Sequence, residues 1–195
     1  MSNRWRRFLF SLLSISVPCL AQRKSGLPFD HLPPEIEILT HFGERADISP
    51  DNERVAFMDK SFGDAFVIDL KTRVIRCLTC NVPGAAFLRV MHLSSGDYLL
   101  IGPESFVDIH RSRTRDNQLW FLSKKPGSKP QSLGQKMSEG AAISKAALKI
   151  SYSVTAAQDD SLSHEASQLF VADIDLANSG ARLTNKKMVY ESRTK

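Results

Sequence analysis

Cys77 and Cys80, three positions apart, are the residues of this chain whose type and spacing most directly suggest chemistry. A Cys-x-x-Cys pair can close a small disulfide, exchange with other thiols or supply two ligands to zinc. Redox catalysis of the thioredoxin type needs a βαβ pattern around the pair, and a tetrahedral zinc site needs further ligands such as a second cysteine pair. The sequence has neither, so we predict a structural disulfide, with two free thiols as the alternative, and no metal site.

Two long polar segments hold the other residues that could bind a ligand. GPESFVDIHRSRTRD (102–116) contains the basic run HRSRTR (110–115), and SVTAAQDDSLSHEA (153–166) is acidic. A polar or charged ligand would suit such segments, but two solvated insertions that pair with one another would produce the same pattern. The candidate binding residues are His110, Arg111, Arg113 and Arg115 in the basic segment and Asp159, Asp160, His164 and Glu165 in the acidic segment.

Familiar catalytic and cofactor motifs do not occur in the sequence. His164-Glu165 has no second histidine at the helical spacing of a zinc peptidase. No serine stands in a Gly-x-Ser-x-Gly setting, and no glycine-rich phosphate loop precedes a helix. The basic run HRSRTR (110–115) lacks the interleaved aromatic residues that stack on bases. We therefore predict no catalytic residue, no cofactor and no nucleic-acid partner.

The first 21 residues have the pattern of a secretory signal peptide. Arg4, Arg6 and Arg7 precede the apolar run 8–21, which ends with Cys19 and Ala21. The run is shorter than a membrane span, and its proline argues against a buried helix, so a retained anchor is the less favoured alternative. Removing three arginines from 26 basic residues leaves 23 against 21 acidic ones, a net charge of +2 instead of +5. We predict export to an extracellular or periplasmic location, which favours the disulfide, and a linker over residues 22–34.

Apolar segments recur in the same order three times along the chain. The segments 47–57, 92–101 and 142–152 each contain a turn between two short apolar stretches. A second apolar strand follows each of them, at 64–70, 117–122 and 167–174, and then a short strand with a leucine. Four short antiparallel strands in about 45 to 50 residues is the size of a β-propeller blade. A two-sheet sandwich is the alternative, but it does not predict an ordered repeat.

The first repeat resembles a known family of propeller repeats. SPDNERVAF, Val-Ile-Asp-Leu, Lys-Thr and Arg-Cys-Leu-Thr, all within residues 45–80, are similar to the TolB-like repeat. The second and third units match by pattern, with Ser49-Pro50-Asp51 replaced by Ser94-Ser95-Gly96 and by Ser144-Lys145-Ala146. We predict an all-β fold over residues 35–195: a partial β-propeller of about three four-stranded antiparallel blades. The segment 35–40 is expected to add an N-terminal outer strand, and 186–195 to begin a further unit.

The resemblance implies contacts with a protein or peptide at one rim of the propeller. In a four-stranded meander, the connections between second and third strands emerge on one side, so both long polar segments are expected there. We interpret the chain as an exported binding or scaffold module with no membrane span after cleavage. The alternatives are an exported hydrolase or lyase acting on a glycan or peptide, and a truncated inactive relative. Because a ring needs at least about four blades, a second copy could complete it.

Overall fold

Three four-stranded antiparallel sheets follow one another along the chain in the computed structural model, which describes residues 25–177 and 180–193. Blade 1 contains β1 (Glu44–Ile48), β2 (Arg54–Met58), β3 (Ala65–Asp69) and β4 (Ile75–Cys77). Blade 2 contains β5 (Arg89–His92), β6 (Tyr98–Gly102), β7 (Gln118–Leu122) and β8 (Gln131–Lys136). Blade 3 contains β9 (Ala141–Ile143), β10 (Lys149–Thr155), β11 (Ala166–Ala177) and β12 (Gly180–Arg193). The predicted all-β class and the three blades are confirmed.

The predicted signal peptide lies outside the described residues. Residues 25–38 form a separate compact unit with one 3-10 turn at Pro28–His31. Residues 36–40, within the segment expected to be an outer strand, have no strand pairing among the described residues, so that prediction is wrong. Within it, Ile36 N donates to Pro33 O at 3.0 Å, which is a local bond. A strand needs a neighbouring edge for its backbone groups, and all three sheets draw their four strands from later in the chain.

The C-terminal segment also differs from the expectation. Residues 186–193 do not begin a fourth unit but continue β12, which pairs with β11 from Ala177↔Gly180 to Ala166↔Arg193. Val189 and Tyr190 are residues that favour strands, and β11 runs antiparallel beside them. Extending the hairpin therefore satisfies the backbone groups that a new unit would have left unpaired.

The middle blade is buried on both of its faces because consecutive apolar residues of its strands point to opposite sides of the sheet. Tyr98 and Leu100 of β6 pack in the cluster shared with blade 1, and Leu99 and Ile101 pack in the cluster shared with blade 3. Successive side chains of a strand point to opposite faces, so a strand buried on both sides reads as a continuous apolar run. Blade 2 thus holds its two neighbours through two separate cores.

Blade 3 packs on blade 2 through an apolar face, and its other face is mixed. Ile150, Tyr152 and Val154 of β10 belong to the core shared with blade 2. On the other face Lys149 Nζ lies 2.6 Å from Asp173 Oδ1 of β11. Strand pairing puts Leu169, Val171 and Tyr190 on the same face, opposite serines of β10 and each other. The face of blade 3 that points away from blade 2 therefore combines an ion pair with partly exposed apolar side chains.

Two sets of connections lie at opposite ends of β2, β6 and β10. We call the turns 49–53, 93–97 and 144–148 the turn rim, and the connections 59–64, 103–117 and 156–165 the loop rim. Each turn of the turn rim is closed by a serine hydroxyl: Ser49 Oγ accepts from Arg54 N at 2.9 Å, and Ser95 and Ser144 accept from backbone N–H groups of their own turns. The sequence repeat is thus a repeat of local structure.

Candidate functional site

The two long connections of the loop rim meet and enclose a cleft of about 870 Å³. Its walls come from the connections of blades 2 and 3, together with the ends of two strands, β8 and β10. The lining residues are His110, Arg111, Thr114, Arg115, Asp116, Lys136, Thr155, Ala156, Ala157, Asp160 and His164. A cavity of this size is within the range of small-molecule sites.

The connection 103–117 is shaped by its own polar side chains. It contains α1 (Ile109–Arg111), whose first turn is capped by Asp108 Oδ1, which accepts from Arg111 N at 2.8 Å. Thr114 Oγ1 donates to His110 O at 2.8 Å, and the buried Asn117 donates through Nδ2 to Arg113 O at 3.1 Å. These bonds hold the basic side chains on a short helical segment, so the loop is positioned before any ligand arrives.

The connection 156–165 is held in the same way and is bonded to its neighbour. Gln158 Oε1 accepts from Thr155 N at 3.0 Å and from Thr155 Oγ1 at 2.9 Å, while Gln158 Nε2 donates to Thr114 O of the basic connection. Asp159 accepts from Ser161 Oγ at 2.7 Å and Ser161 N at 3.0 Å, and these bonds hold the pKa of Asp159 below its ordinary value. Gln158 therefore joins the two walls of the cleft.

The charged side chains of the cleft are mostly exposed, and positive charge is in excess. Arg111 Nε lies 2.9 Å from Asp116 Oδ2, so this pair is compensated within its own loop. Arg115 and Lys136 then face a single further carboxylate in the lining, that of Asp160. The cleft can offer donors from a guanidinium and an ammonium group, which are the donors that bind carboxylates and phosphates.

The structure brings together five of the candidate binding residues and leaves three outside the lining. His110, Arg111, Arg115, Asp160 and His164 line the cleft. Of the other three, Asp159 caps its own turn and Glu165 is exposed outside the lining. The remaining residue, Arg113, is directed elsewhere.

Arg113 helps to fix the basic connection to β1 through a shared glutamate. Its Nε lies 3.5 Å from Glu139 Oε2, and Glu139 Oε1 accepts from Arg45 Nη1 of β1 at 3.0 Å. Arg45 also reaches Glu44, whose pKa is lowered first by a hydrogen bond from Ser61. Glu139 thus links the first blade, the basic connection and the start of the third blade, which gives Arg113 a positioning role.

Sequence reasoning missed two lining residues that end strands. Lys136 is the last residue of β8 and Thr155 the last of β10, so both project from the sheet at the edge of the cleft. The signal available in the sequence was a polar residue closing an apolar strand next to a long connection. It could not be used without knowing where each strand ends.

Apolar side chains continue the surface beside the cleft. Val107 and Ile109 of the basic connection are 56% and 62% exposed, and Phe106, 46% exposed, packs against Phe62 of the blade 1 connection with ring centroids 5.2 Å apart. Exposed apolar residues next to charged ones on a rigid support are typical of surfaces that bind other proteins.

The cysteine pair lies at the edge of blade 1. Cys77 ends β4, and its sulfur is bonded to that of Cys80, so the predicted disulfide is confirmed. One group of three side chains in the described part of the chain could hold a metal ion: Asp64, Cys77 and Cys80. Within residues 25–177 and 180–193, no helix has the length and apolar character needed to cross a bilayer.

Solved structures of TolB proteins share this arrangement of blades. The crystal structure of TolB from Acinetobacter baumannii matches with 17% identity and a TM-score of 0.50, over 75% of this chain and 34% of that one. The structure of putative TolB from Agrobacterium tumefaciens matches with 13% identity and a TM-score of 0.53, over 80% of this chain and 52% of that one. The chain thus spans about a third to about half of the length of these proteins. The likeness shows a TolB-like propeller fold.

Similarity to these solved structures shows the fold of the chain alone. No model of a protein family matches the chain. No curated protein matches it either.

Proposed function

We propose that this protein is an exported binding module that holds an acidic segment of a partner protein in the cleft of the loop rim. The observation that carries the proposal is the meeting of the two long connections, joined by Gln158 and Thr114, around Arg115 and Lys136. The sheets beneath supply a rigid support, and the connections supply the contacts. This division is usual where a loop carries binding.

The charge of the cleft favours carboxylates as ligands. Arg115 and Lys136 are exposed, so a ligand can reach both without unfolding a loop. Arg111, held by Asp116, can give its remaining donors to the same ligand in a fixed orientation. Hydrogen bonds between ionised partners are about twice as strong as neutral ones, so an aspartate or glutamate side chain would be preferred over an amide.

A peptide fits the surface better than a small anion does. Val107 and Ile109 offer exposed apolar area next to the basic side chains. Buried apolar contacts supply most of the free energy of binding, while charges supply orientation and association rate. A segment that alternates acidic and apolar residues would use both parts of the surface.

Export is supported by two features of the chain. The first 21 residues have the pattern of a signal peptide, and the Cys77–Cys80 disulfide is a bond typical of oxidising compartments. A fusion of residues 1–24 to a reporter enzyme that works only after export tests this part. A fusion protein that stays inactive and is found in the cytoplasmic fraction would contradict it.

We propose that the module acts without a ring completed by a second copy. Such a ring would bury the Lys149–Asp173 ion pair on the outward face of blade 3 against another blade. Desolvating charged groups costs several kcal/mol per ion unless each is fully compensated. Sedimentation of the purified protein as a monomer is expected, and a stable dimer that dissociates on Lys149→Glu, which sets two negative charges side by side, would contradict this proposal.

The binding test uses a labelled peptide of alternating glutamate and leucine, with fluorescence anisotropy as the readout. In the double variant Arg115→Glu, Lys136→Glu the affinity should fall by at least about tenfold, because attraction to the peptide becomes repulsion. The matched control is Lys125→Glu, Lys129→Glu, which makes the same change of charge in the β7–β8 turn, outside the cleft lining.

The two variants separate a specific site from general attraction. An equal loss of affinity in both would mean that only the net charge matters, and the cleft proposal would then be wrong. A peptide in which lysine replaces glutamate should bind the wild-type protein weakly and the Glu-substituted cleft more strongly.

A hydrolase or lyase is the second candidate, because His110, His164 and Asp160 line one cleft. Histidine and carboxylate groups are the usual general acids and bases. Peptide and glycan substrates incubated with the wild-type protein test this candidate. Turnover that disappears in both His110→Ala and His164→Ala would favour an enzyme over a binding module.

A further inference from the structure

A carboxylate lies beside the cysteine pair at the edge of blade 1. The ligand atoms of Asp64, Cys77 and Cys80 all lie within 4.8 Å of one another. Asp64 directly precedes β3, Cys77 is the last residue of β4, and the two strands are paired through Phe66↔Cys77. The sequence shows only the two cysteines as neighbours, and the pairing of β3 with β4 brings the third group to them.

The backbone and a buried threonine hold Asp64 in place. Thr79, which is fully buried, donates through Oγ1 to Asp64 Oδ1 at 2.6 Å and accepts from Ala65 N at 3.0 Å. The Asp64 backbone N donates to Asp59 Oδ1 at 2.7 Å. A hydrogen bond to one carboxylate oxygen fixes its orientation and leaves the other oxygen as a ligand, which is how outer groups position metal ligands.

The turn from Cys77 to Cys80 contains a hydrogen bond to sulfur of the kind that would stabilise a metal-bound thiolate. Cys80 N donates to Cys77 Sγ at 3.0 Å, and Leu78 N donates to Ala65 O at 2.7 Å, so the turn is anchored to β3. A backbone N–H that points at sulfur compensates the charge of a thiolate. The turn would therefore keep its shape when the disulfide is opened.

We propose that Cys77, Cys80 and Asp64 form a zinc site when the disulfide is reduced. A dithiol reductant gives two electrons and two protons: the bond between the sulfurs breaks, both cysteines become thiols, and the reductant becomes a disulfide. Each thiol then releases its proton to solvent as its sulfur coordinates zinc. The proposal is independent of the cleft and of the peptide that it binds.

The donor set accounts for the choice of metal. Two thiolates and one carboxylate are ligands that tetrahedral Zn²⁺ accepts, with water in the fourth position. The harder ions Ca²⁺ and Mg²⁺ prefer oxygen ligands alone. Because the same two sulfurs make either the disulfide or the metal bonds, oxidation and zinc binding exclude each other. The oxidised protein is held by a covalent bond, and the reduced protein by the ion.

The test titrates Co²⁺, a spectroscopic substitute for zinc, into the full chain without oxygen. A phosphine reduces the disulfide: it takes an oxygen atom from one water molecule, and both sulfurs become thiols. One equivalent of Co²⁺ should produce the absorption of thiolate-to-cobalt charge transfer, and Zn²⁺ should displace it. The oxidised protein should show no such band.

Three variants assign the ligands. In Asp64→Asn, which keeps an oxygen acceptor for Thr79, the metal affinity should fall by at least about tenfold with the charge-transfer band weakened. The control Glu53→Gln removes a negative charge from an exposed position of the same blade and should leave the affinity unchanged. Cys80→Ser, at an exposed position, should remove the band at one equivalent of metal.

Two results would overturn the proposal. Reduced wild-type protein that shows no band at one equivalent of Co²⁺ has no such site. If Asp64→Asn binds as tightly as the wild-type protein, Asp64 is not a ligand. Circular dichroism of the metal-free variants checks folding, and Cys80→Ser tests the site should Asp64→Asn fail to fold.

Discussion

The turn rim and the loop rim lie at opposite ends of the same three sheets, and different hydrogen bonds hold their connections in place. At the turn rim each connection is short and is closed by its own serine. At the loop rim the connections of blades 2 and 3 are long, and Gln158 bonds one to the other. Each turn of the turn rim is therefore closed by its own residues, while the two long connections of the loop rim are also bonded to each other.

Charges are used differently at the two rims. At the turn rim Asp47 of β1 accepts from His92 N of β5 at 2.7 Å and lies 3.0 Å from Lys145 of blade 3. His92 is fully buried and Asp47 is half-buried, while Lys145 lies at the surface, so this cluster joins three blades at the edge of the core. At the loop rim Arg115 and Lys136 are exposed in the cleft. The charges of the turn rim thus contribute to stability, while the exposed charges of the loop rim are accessible to a ligand.

The largest effect is expected from Asp47→Asn. Burial raises the pKa of Asp47, but hydrogen bonds from His92 and Lys145 outweigh it, so the pKa lies below its ordinary value and the side chain is a carboxylate at neutral pH. Removing the charge weakens the bonds to both partners, and urea unfolding should show a loss of about 2 to 3 kcal/mol in the free energy of unfolding.

Asp160→Asn is the matched control for this change. It removes the same charge from an exposed position at the loop rim and should alter stability by less than about 0.5 kcal/mol. Equal losses in the two variants would remove the distinction between the rims.

Substitutions of two glutamines, Gln131 and Gln158, are expected to separate effects on stability from effects on binding. Gln131 joins the outer strands of blades 2 and 3, since Nε2 donates to Ala181 O and Oε1 accepts from Ala181 N, both at 3.0 Å. Gln131→Ala leaves backbone groups of a buried residue unpaired and should cost about 1 to 2 kcal/mol in urea unfolding. The affinity for the glutamate–leucine peptide should stay unchanged.

Gln158→Ala should have the reverse pattern. Without the bond to Thr114 the two walls of the cleft are no longer held together, and ordering them on binding lowers the affinity. Anisotropy should show a decrease of about threefold to tenfold, with stability within about 0.5 kcal/mol of the wild-type protein. Unchanged affinity would mean that the cleft does not need its two walls joined.

The smallest effect concerns pH at the turn rim. Hydrogen bonds from Ser49 and from Glu53 N, together with Arg54, lower the pKa of Asp51 to about 2 from 3.8. A lowered pKa stabilises the folded protein above pH 3.8, and this contribution is lost as pH falls towards 2. Because Asp51 is exposed, solvent screening keeps the contribution below about 1 kcal/mol.

Urea unfolding of the wild-type protein and of Asp51→Asn at several pH values checks the sign. The variant should be less stable above pH 4, and the two proteins should converge at lower pH. A difference that stays constant down to pH 2 would show that Asp51 stabilises the turn by its shape alone.

Much of the fold could be predicted because blades are local structures. The order of strands, the tight turns with their serines and the Cys77–Cys80 disulfide all depend on residues close together in the chain. The segments 35–40 and 186–193 were misassigned because local propensity favours a strand at both places and cannot say which edge it pairs with. Residues 36–40 have no strand partner among the described residues, while 186–193 extend the hairpin with β11.

The sequence by itself determined the repeating blade, since alternating apolar residues and turn residues act within about 50 residues. Tertiary structure decided how the polar residues of different blades are combined. It placed Arg115 and Lys136 in the lining of one cleft, turned Arg113 towards Glu139 and set Asp64 beside the cysteines. These meetings depend on the packing of one sheet on another and on strand pairing, which bring together side chains that are far apart in the chain. The spacing of charged residues along the chain does not show which of them will be neighbours in the folded protein.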